Sequence, residues 1–329
     1  MKKVMIYGAT GYTGRMAAEH VRAFDLPLIL AGRSAEPLAA LADRLGAEFK
    51  TFSVEDDAAI DYAMLDVALV LNCAGPFKRT AWPIIQASIR NGVHYLDIAA
   101  ELDSYRLAEQ FNESAKAAGV MLLPGSGGSV AMLGCLASHA AARVPPPIKV
   151  SVALHVAGGM SRGSAISASE NLTHETLVRS DNQLSPSTST DTRLFDFGNG
   201  QGPVACFPVT LPDLITIGRS LAVPDVETFV HVSGNAFPEG DLSALPDGPT
   251  NEERAANRYQ ASVEVVGATG EIVRSVLDTV NGYTFTPVAA AAAVRRVFAG
   301  EFRPGFETPA DLFGGAFVKT IADSRIIDL

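Results

Sequence analysis

The chain has 329 residues, of which 47% are hydrophobic and 19% are charged, and its formal net charge is −10. This length and composition predict a globular protein with two domains and exclude a disordered chain. Because the net charge is acidic and no basic run occurs, we expect no nucleic-acid partner. Because the apolar stretches are short, we expect no membrane association and a cytoplasmic location.

The N-terminal segment has the pattern of a strand, a tight glycine turn and a helix. The apolar run at residues 2–6 is followed by GATGYTG and then by RMAAEHVRAF, whose apolar residues recur at helical spacing. In this context a glycine turn binds the pyrophosphate of a dinucleotide at the positive end of the helix. The predicted cofactor-binding residues of this turn are Gly8, Thr10, Gly11, Tyr12, Thr13 and Gly14.

The second predicted strand, Leu26–Ser34, ends where the two nicotinamide dinucleotides are distinguished. A carboxylate at this place would bind the ribose hydroxyls of NAD and repel the 2′-phosphate of NADP. The strand instead ends in Arg33 and Ser34, which offer a guanidinium and a hydroxyl to a phosphate. We therefore expect NADP in preference to NAD.

The run Asp66–Phe77 is almost continuously apolar, as is typical of a strand inside a parallel sheet. It ends in small residues that would let a nicotinamide ribose pass close to the backbone, namely Asn72, Cys73, Ala74 and Gly75. We interpret this turn as a second part of the cofactor site. The alternative is an ordinary turn between a strand and a helix.

Strands and helices alternate as far as residue 146, which predicts a first domain of the Rossmann type with a doubly wound parallel sheet. Ligands of such sheets bind beyond the carboxyl ends of the strands. The reactive side chains predicted there are Lys78, Arg79, Asp97, Glu101, Ser126 and Ser129. Asp97, Glu101 and Lys78 are weak candidates for catalysis. The alternative is that they cap turns or lie on the surface.

The proline-rich segment Val144–Val150 is predicted to connect this domain to a second one at residues 147–329. Alternating runs and a small-residue helix ending at Leu172 predict an α+β domain with a mixed, antiparallel-rich sheet. The polar stretch 181–193 is predicted to be a loop.

Two further features concern the end of the chain. GATG recurs at residues 267–270, but alternating runs flank it and no helix follows, so this copy predicts a hairpin turn. A helix is predicted to begin at Pro287. The C-terminal helices, at about 287–329, are candidates for packing back on the first domain.

Four motifs carry a resemblance: GATGYTG, AGRS around Arg33, NCAGPF at 72–77, and the Tyr-Leu-Asp and Glu of Tyr95–Glu101. Together they resemble the saccharopine dehydrogenase-like proteins, which include trans-acting enoyl reductases. SRGSAISASENL and the segment from Thr286 to Gly315 continue the similarity. The resemblance implies a nicotinamide cofactor, a Rossmann domain and an inserted α+β domain for substrate binding or dimerisation. It assigns no catalytic residue, and Pro124–Ser129 departs from the Gly-Phe-Asp stretch of many relatives.

Other chemistry is weakly supported. Short-chain dehydrogenases need a lysine four residues after the catalytic tyrosine, and no tyrosine here has one. No two histidines have ligand spacing and the three cysteines are far apart, so we predict no metal site and no disulfide framework. We interpret His139, His155 and Cys73 as structural, and we expect Trp82 to be packed in the first domain.

The leading hypothesis is an NADP-dependent oxidoreductase that transfers hydride between NADPH and a small-molecule imine or activated alkene bound between the domains. The alternative is a non-catalytic NADPH-binding regulatory or scaffold protein, which the weak acid–base signature favours. The apolar strands of the second domain predict a homodimer.

Overall fold

The computed structural model describes residues 2–144, 146–170, 175–234 and 240–329. The strands are β1 (Lys3–Tyr7), β2 (Leu28–Gly32), β3 (Glu48–Thr51), β4 (Val67–Asn72), β5 (His94–Asp97), β6 (Met121–Leu123), β7 (Pro147–Ala157), β8 (Leu177–Ser180), β9 (Gln183–Pro186), β10 (Arg193–Phe195), β11 (Val204–Pro208), β12 (Asp225–Ser233), β13 (Tyr259–Gly267), β14 (Ile272–Thr279), β15 (Gly305–Phe306) and β16 (Arg325–Asp328). The α-helices are α1 (Tyr12–Arg22), α2 (Ala35–Leu45), α3 (Asp57–Met64), α4 (Phe77–Asn91), α5 (Leu102–Gln110), α6 (Asn112–Ala117), α7 (Ser129–Ala141), α8 (Arg162–Glu170), α9 (Asp213–Ser220), α10 (Asn251–Ala256), α11 (Gly282–Phe298) and α12 (Pro309–Phe313).

The chain divides into two compact units. The first comprises Met1–Gly128 and Thr286–Glu307, and the second comprises Ser129–Phe285 and Thr308–Leu329. This division differs from the expected boundary after residue 146, because it groups α7 with the second unit. The C-terminal segment is shared between the units.

The first unit contains a seven-stranded sheet in the order β15-β6-β5-β4-β1-β2-β3, and every neighbouring pair is parallel. Strands β1, β2 and β4 are almost entirely buried, as expected for parallel strands with both faces covered. The strand order reverses between β1 and β4, which is where ligands of such sheets bind. The predicted doubly wound sheet is thus confirmed.

The second unit contains a nine-stranded sheet. Seven strands follow the order β10-β11-β12-β7-β13-β14-β16, and the β8–β9 hairpin is attached to β12. Only β12 and β7 pair in parallel among these described strands, and the other pairs are antiparallel. Helix α7 packs against β7, β13 and β14. The expected mixed, antiparallel-rich sheet is confirmed.

Two local predictions in the second half are wrong. The stretch 181–193 contains β9, whose residues pair with β8, so a predicted loop is partly a hairpin. Helix α11 begins at Gly282 and contains Pro287, because Asn281 accepts the backbone N–H of Tyr283 at 3.0 Å and caps the helix earlier. The hairpin around the second GATG is confirmed by the pairing of β13 with β14.

Two other predictions need comment. Trp82 lies on α4 and is 44% exposed, so the expectation that it is packed is wrong. Helix α8 follows Gly158 as predicted, but Leu172, at the end of the predicted segment, lies outside the described residues. None of the described helices is both long and apolar enough to cross a membrane.

Candidate cofactor and active site

The glycine turn joins β1 to α1, and two of its glycines lie where no side chain fits. Gly8 has a φ of +79°, and a Cβ there would lie 2.8 Å from the backbone nitrogen of Ala74. At Gly14 a Cβ would lie 2.2 Å from the carbonyl oxygen of Gly8. The backbone N–H of Gly11 donates to the same oxygen at 3.0 Å and closes the turn. Close backbone approach therefore requires glycine here.

Helix α1 directs its N-terminus at this turn. Its N-cap residue is Gly11, which has no side chain to cap the helix, and its first turn contains no acidic residue. The helix dipole and the first backbone N–H groups thus form a positive end that suits a phosphate. Thr10, Tyr12 and Thr13 are half-buried in the same turn. This arrangement fits the pyrophosphate of a dinucleotide.

The end of β2 lies beside the glycine turn, since the backbone N–H of Gly8 donates to the carbonyl of Ala31 at 2.9 Å. Arg33 and Ser34 follow, and both are exposed. Burial raises the pKa of Tyr7, and the nearby charge of Arg33 opposes this rise. The guanidinium therefore lies at the same sheet edge as the glycine turn, where a 2′-phosphate would need a cation.

The turn after β4 lies against the glycine turn, because the backbone N–H of Cys73 donates to the carbonyl of Tyr7 at 2.8 Å. Asn72 is fully buried. Its Oδ1 accepts the N–H of Ala74 at 3.0 Å, and its Nδ2 donates to Oγ1 of Thr80 at 3.0 Å. The Asn72 side chain therefore shapes the turn from inside. The residues that follow it are half-buried or exposed, namely Cys73, Ala74 and Gly75.

The Cys73 thiol is not activated. Burial raises its pKa, and the charge of Asp97 raises it further. A thiol in this state is protonated at neutral pH and is a poor nucleophile. In the described part of the chain, no group of three His, Cys, Asp or Glu side chains could hold a metal ion.

Asp97 ends β5 and is fully buried. Its Oδ1 accepts the N–H groups of Ala99 at 3.0 Å and Gly125 at 2.7 Å, and its Oδ2 accepts the hydroxyl of Tyr95 at 2.8 Å. The backbone carbonyl of Asp97 accepts a hydrogen bond from the hydroxyl of Ser126 at 2.8 Å. Burial raises the pKa of Asp97 to about 6, although these hydrogen bonds oppose the rise. The carboxyl therefore holds the ends of β5 and β6 together.

Glu101 also has a defined partner. It is 7% exposed, and its two carboxylate oxygens accept the backbone N–H groups of Phe77 and Lys78, each at 3.0 Å. The carboxylate thus caps α4 and neutralises the positive end of that helix. The side chains of Lys78 and Arg79 are exposed in the first turn of α4. Ser129 begins α7 in the second unit.

The structure thus brings the three predicted cofactor segments together at the strand reversal between β1 and β4. The contacts of Thr80 with Asn72 and of Tyr95 with Asp97 inside the sheet edge were not predicted from the sequence. Both were hard to foresee, because Thr80 lies on a helix and the motif that contains Tyr95 indicates only a strand and a turn. The pairing of Tyr7 with Asn72 and of Asn72 with Asp97 across β1, β4 and β5 creates them.

Comparison with known proteins identifies this architecture. Residues 4–123 match the family model of the saccharopine dehydrogenase NADP binding domain. This part of the chain is therefore similar to the domains of that family. The resemblance inferred from the motifs is therefore confirmed, and the glycine turn, Arg33 and the turn after β4 all lie within the matched residues.

Curated relatives each match a part of the chain. A saccharopine dehydrogenase-like oxidoreductase of Bos taurus is 31% identical over 38% of this chain and 34% of its own length. A trans-acting enoyl reductase of Mycobacterium ulcerans is 31% identical over 30% of this chain and 26% of its own length. The matched part thus spans about a third or less of these relatives.

Solved structures extend the similarity of fold to the whole chain. The apo saccharopine dehydrogenase (L-Glu forming) of Saccharomyces cerevisiae superposes with a TM-score of 0.68 at 13% identity, over all of both chains. A homospermidine synthase of Legionella pneumophila in complex with NAD superposes with a TM-score of 0.66 at 12% identity, over all of this chain and 91% of the other. At these identities the likeness concerns the fold alone.

Proposed function

We propose that this chain is an NADP-dependent oxidoreductase that transfers hydride between NADPH and a small-molecule imine or activated alkene. The observation that carries the proposal is the backbone cradle of Gly8, Gly11 and Gly14 at the positive end of α1. The match to an NADP binding domain and to oxidoreductase relatives supports an oxidoreductase with a nicotinamide dinucleotide. The choice of NADP rests on Arg33.

Each part of the cradle has a proposed role. The backbone N–H groups at the start of α1 would hold the pyrophosphate, and Arg33 with Ser34 would hold the 2′-phosphate. The backbone at residues 72–75 would lie along the nicotinamide ribose. When bound, the cofactor supplies the hydride at C4 of its nicotinamide ring. The chain's own contribution is to orient the reactants and exclude water.

The three candidates for catalysis have different proposed roles. Asp97 and Glu101 hold strand and helix ends in place through their hydrogen bonds, so we propose that they position the site without touching the substrate. Lys78 is exposed in the first turn of α4, and we propose that it binds a substrate carboxylate. Protonation of the product would then come from water or from a group outside these three.

Calorimetric titration with NADPH and NADH at matched ionic strength tests the proposal. We expect tight binding of NADPH and weak binding of NADH. Equal affinity for both would contradict the NADP assignment while leaving a dinucleotide site. Binding of neither would show that GATGYTG is only a structural turn, and the oxidoreductase proposal would fall with it.

One observation favours a second function, a non-catalytic NADPH-binding regulatory or scaffold protein. Asp97 and Glu101, the two carboxylates among the candidates for catalysis, are both engaged in structural hydrogen bonds. Incubation with C4-deuterated NADPH and a metabolite pool distinguishes the two functions. An enzyme loses the label to a substrate, whereas a regulatory protein binds the cofactor and retains the label.

We also propose a homodimer. Leu194 on β10 and Phe207 on β11 are 66% and 60% exposed at one edge of the second sheet, where a second copy would cover them. Light scattering should give the mass of a dimer, and Phe207→Ser should shift the mass toward that of a monomer. A monomeric mass for the wild type would contradict the proposal.

A further inference from the structure

Five neighbouring strands of the second unit place polar side chains in one row across the sheet. The register pairs His231 with His155 and His155 with Gln260. It also pairs Gln260 with Asp278, and Asp278 with Arg325. Residues directly opposite one another on adjacent strands share a face of the sheet. The row therefore brings together residues that are far apart in sequence, and the proposed cofactor site does not use them.

Hydrogen bonds connect the middle of this row. Oγ of Ser233, the last residue of β12, lies 2.8 Å from Nε2 of His155. Nδ1 of His155 lies 2.7 Å from Oε1 of Gln260, and Nε2 of Gln260 donates to Oδ1 of Asp278 at 3.4 Å. The order of groups is thus hydroxyl, imidazole, amide and carboxylate.

The carboxylate at the end of this chain decides which nitrogen of His155 carries the proton. Asp278 contacts Arg258 at 3.1 Å and Arg325 at 3.2 Å, and an ionised carboxylate only accepts hydrogen bonds. The amide nitrogen of Gln260 therefore faces Asp278, and its oxygen faces His155. That oxygen needs a proton on Nδ1, which leaves Nε2 as the acceptor for the hydroxyl of Ser233.

The surroundings keep this imidazole neutral. Burial lowers the pKa of His155, the hydrogen bond to Gln260 opposes this, and the neighbouring His231 lowers the pKa further. The rings of Phe197 and His231 lie with their centroids 5.6 Å and 5.0 Å from that of His155. A neutral imidazole is the form that can accept a proton from a hydroxyl.

The hydrogen-bonded side chains of Ser233, His155 and Gln260 also line open space. A cavity of about 350 Å³ is lined by Ser233, His155 and Gln260, together with His231 and Arg258. An adjoining cavity of about 660 Å³ is also lined by Arg258 and Gln260. A small ligand could therefore reach the hydroxyl, and Arg258 supplies a positive charge of the kind that stabilises an oxyanion.

We propose that Ser233 is a nucleophile that takes the acyl group of a small activated ester, with His155 as its general base and Gln260 as the positioning residue. A hydroxyl within hydrogen-bond reach of a base, and a third group that orients the base, is the arrangement that nucleophilic catalysis requires. This activity is independent of the proposed NADPH chemistry.

The reaction proceeds in two steps, acylation of Ser233 and hydrolysis of the acyl-serine. Oγ of Ser233 bonds to the carbonyl carbon while its proton passes to Nε2 of His155. The bond from the carbonyl carbon to the leaving oxygen then breaks, and the leaving alkoxide takes the proton from His155. Water attacks the acyl-serine with His155 again as base, which releases the acid and restores the hydroxyl.

A fluorophosphonate, which forms a bond to a reactive serine oxygen and expels fluoride, tests the proposal on the full chain. Intact mass and peptide mapping should show one label at Ser233. Ser233→Ala should abolish that label, and His155→Ala should slow labelling by about 100-fold or more. Ser220→Ala is the matched control, since Ser220 donates to Asp311 at 2.8 Å and contacts no imidazole in the described residues. It should leave the rate unchanged.

The role of Gln260 is tested by the labelling rates of two variants, compared under conditions in which both are equally folded. Gln260→Leu removes the acceptor for Nδ1–H and should slow labelling, whereas Gln260→Glu keeps an oxygen there and should restore it. Equal rates for both variants would contradict the positioning role. The whole proposal is overturned if the folded wild type is not labelled at Ser233, or if His155→Ala is labelled at the wild-type rate.

Discussion

Oε1 of Glu101 accepts the backbone N–H of Phe77 at 3.0 Å, so this carboxylate caps the helix that follows β4. Glu101→Ala should lower the free energy of unfolding by about 1–2 kcal/mol, the usual cost of a lost helix cap. Glu101→Gln, which keeps an oxygen acceptor but loses the charge, should cost less. Thermal unfolding followed by circular dichroism measures both. Unchanged stability with a loss of turnover would instead make Glu101 a catalytic group.

Arg33 is predicted to select NADPH. Arg33→Ala should weaken NADPH binding by about 1.5–3 kcal/mol, the value of a lost charge-assisted contact, and should leave NADH binding almost unchanged. Calorimetry on both dinucleotides measures the difference. Arg44→Ala is the matched control, because Arg44 is an exposed arginine on α2 whose partner is Glu19 at 2.8 Å. Equally weakened binding of both dinucleotides would show that Arg33 does not select NADPH.

Gly14 is predicted to tolerate no side chain. In Gly14→Ala the new Cβ would lie 2.2 Å from the carbonyl oxygen of Gly8, so the turn must shift. We expect a destabilisation on the order of 1–3 kcal/mol and the loss of NADPH binding. Gly163→Ala on α8 is the control, since no described atom lies within 4 Å of its Cβ. Normal NADPH binding by Gly14→Ala would contradict the proposal that the glycine turn binds the pyrophosphate.

Asp213 is predicted to make stability depend on pH. It is fully buried, no other described residue gives either carboxylate oxygen a hydrogen bond, and burial raises its pKa from 3.8 to about 8. The unfolded chain ionises this group near pH 4 but the folded chain does not, so the contribution of Asp213 to wild-type stability falls as the pH rises from about 4 to 8.

Asp213→Asn removes this titration. The variant should gain stability relative to the wild type as the pH rises through that window, with an upper limit on the order of 5 kcal/mol above pH 8. Thermal midpoints of both proteins at pH 5, 6, 7 and 8 measure the difference. A difference that does not change with pH would show that the carboxyl finds a partner or reaches water.

Local features of the sequence were enough to predict the first part of the site. The strand, the glycine turn and α1 lie within one short stretch, and the glycines are required by contacts across that turn. Arg33 directly follows β2, so its place at the sheet edge follows from the parallel fold alone. The alternation of strands and helices, and the change of pattern after residue 144, likewise predicted the two kinds of sheet.

Tertiary structure alone decided which polar side chains can contact a substrate. Asp97 and Glu101 are carboxylates of the kind that act as catalytic acids and bases, yet sheet and helix packing brings backbone N–H groups that hydrogen-bond to both. His155 had the pattern of an ordinary strand histidine, and its partners lie 78 residues away at Ser233 and 105 residues away at Gln260. Those contacts depend on strand register, which long-range pairing sets and which leaves no local signal in the sequence.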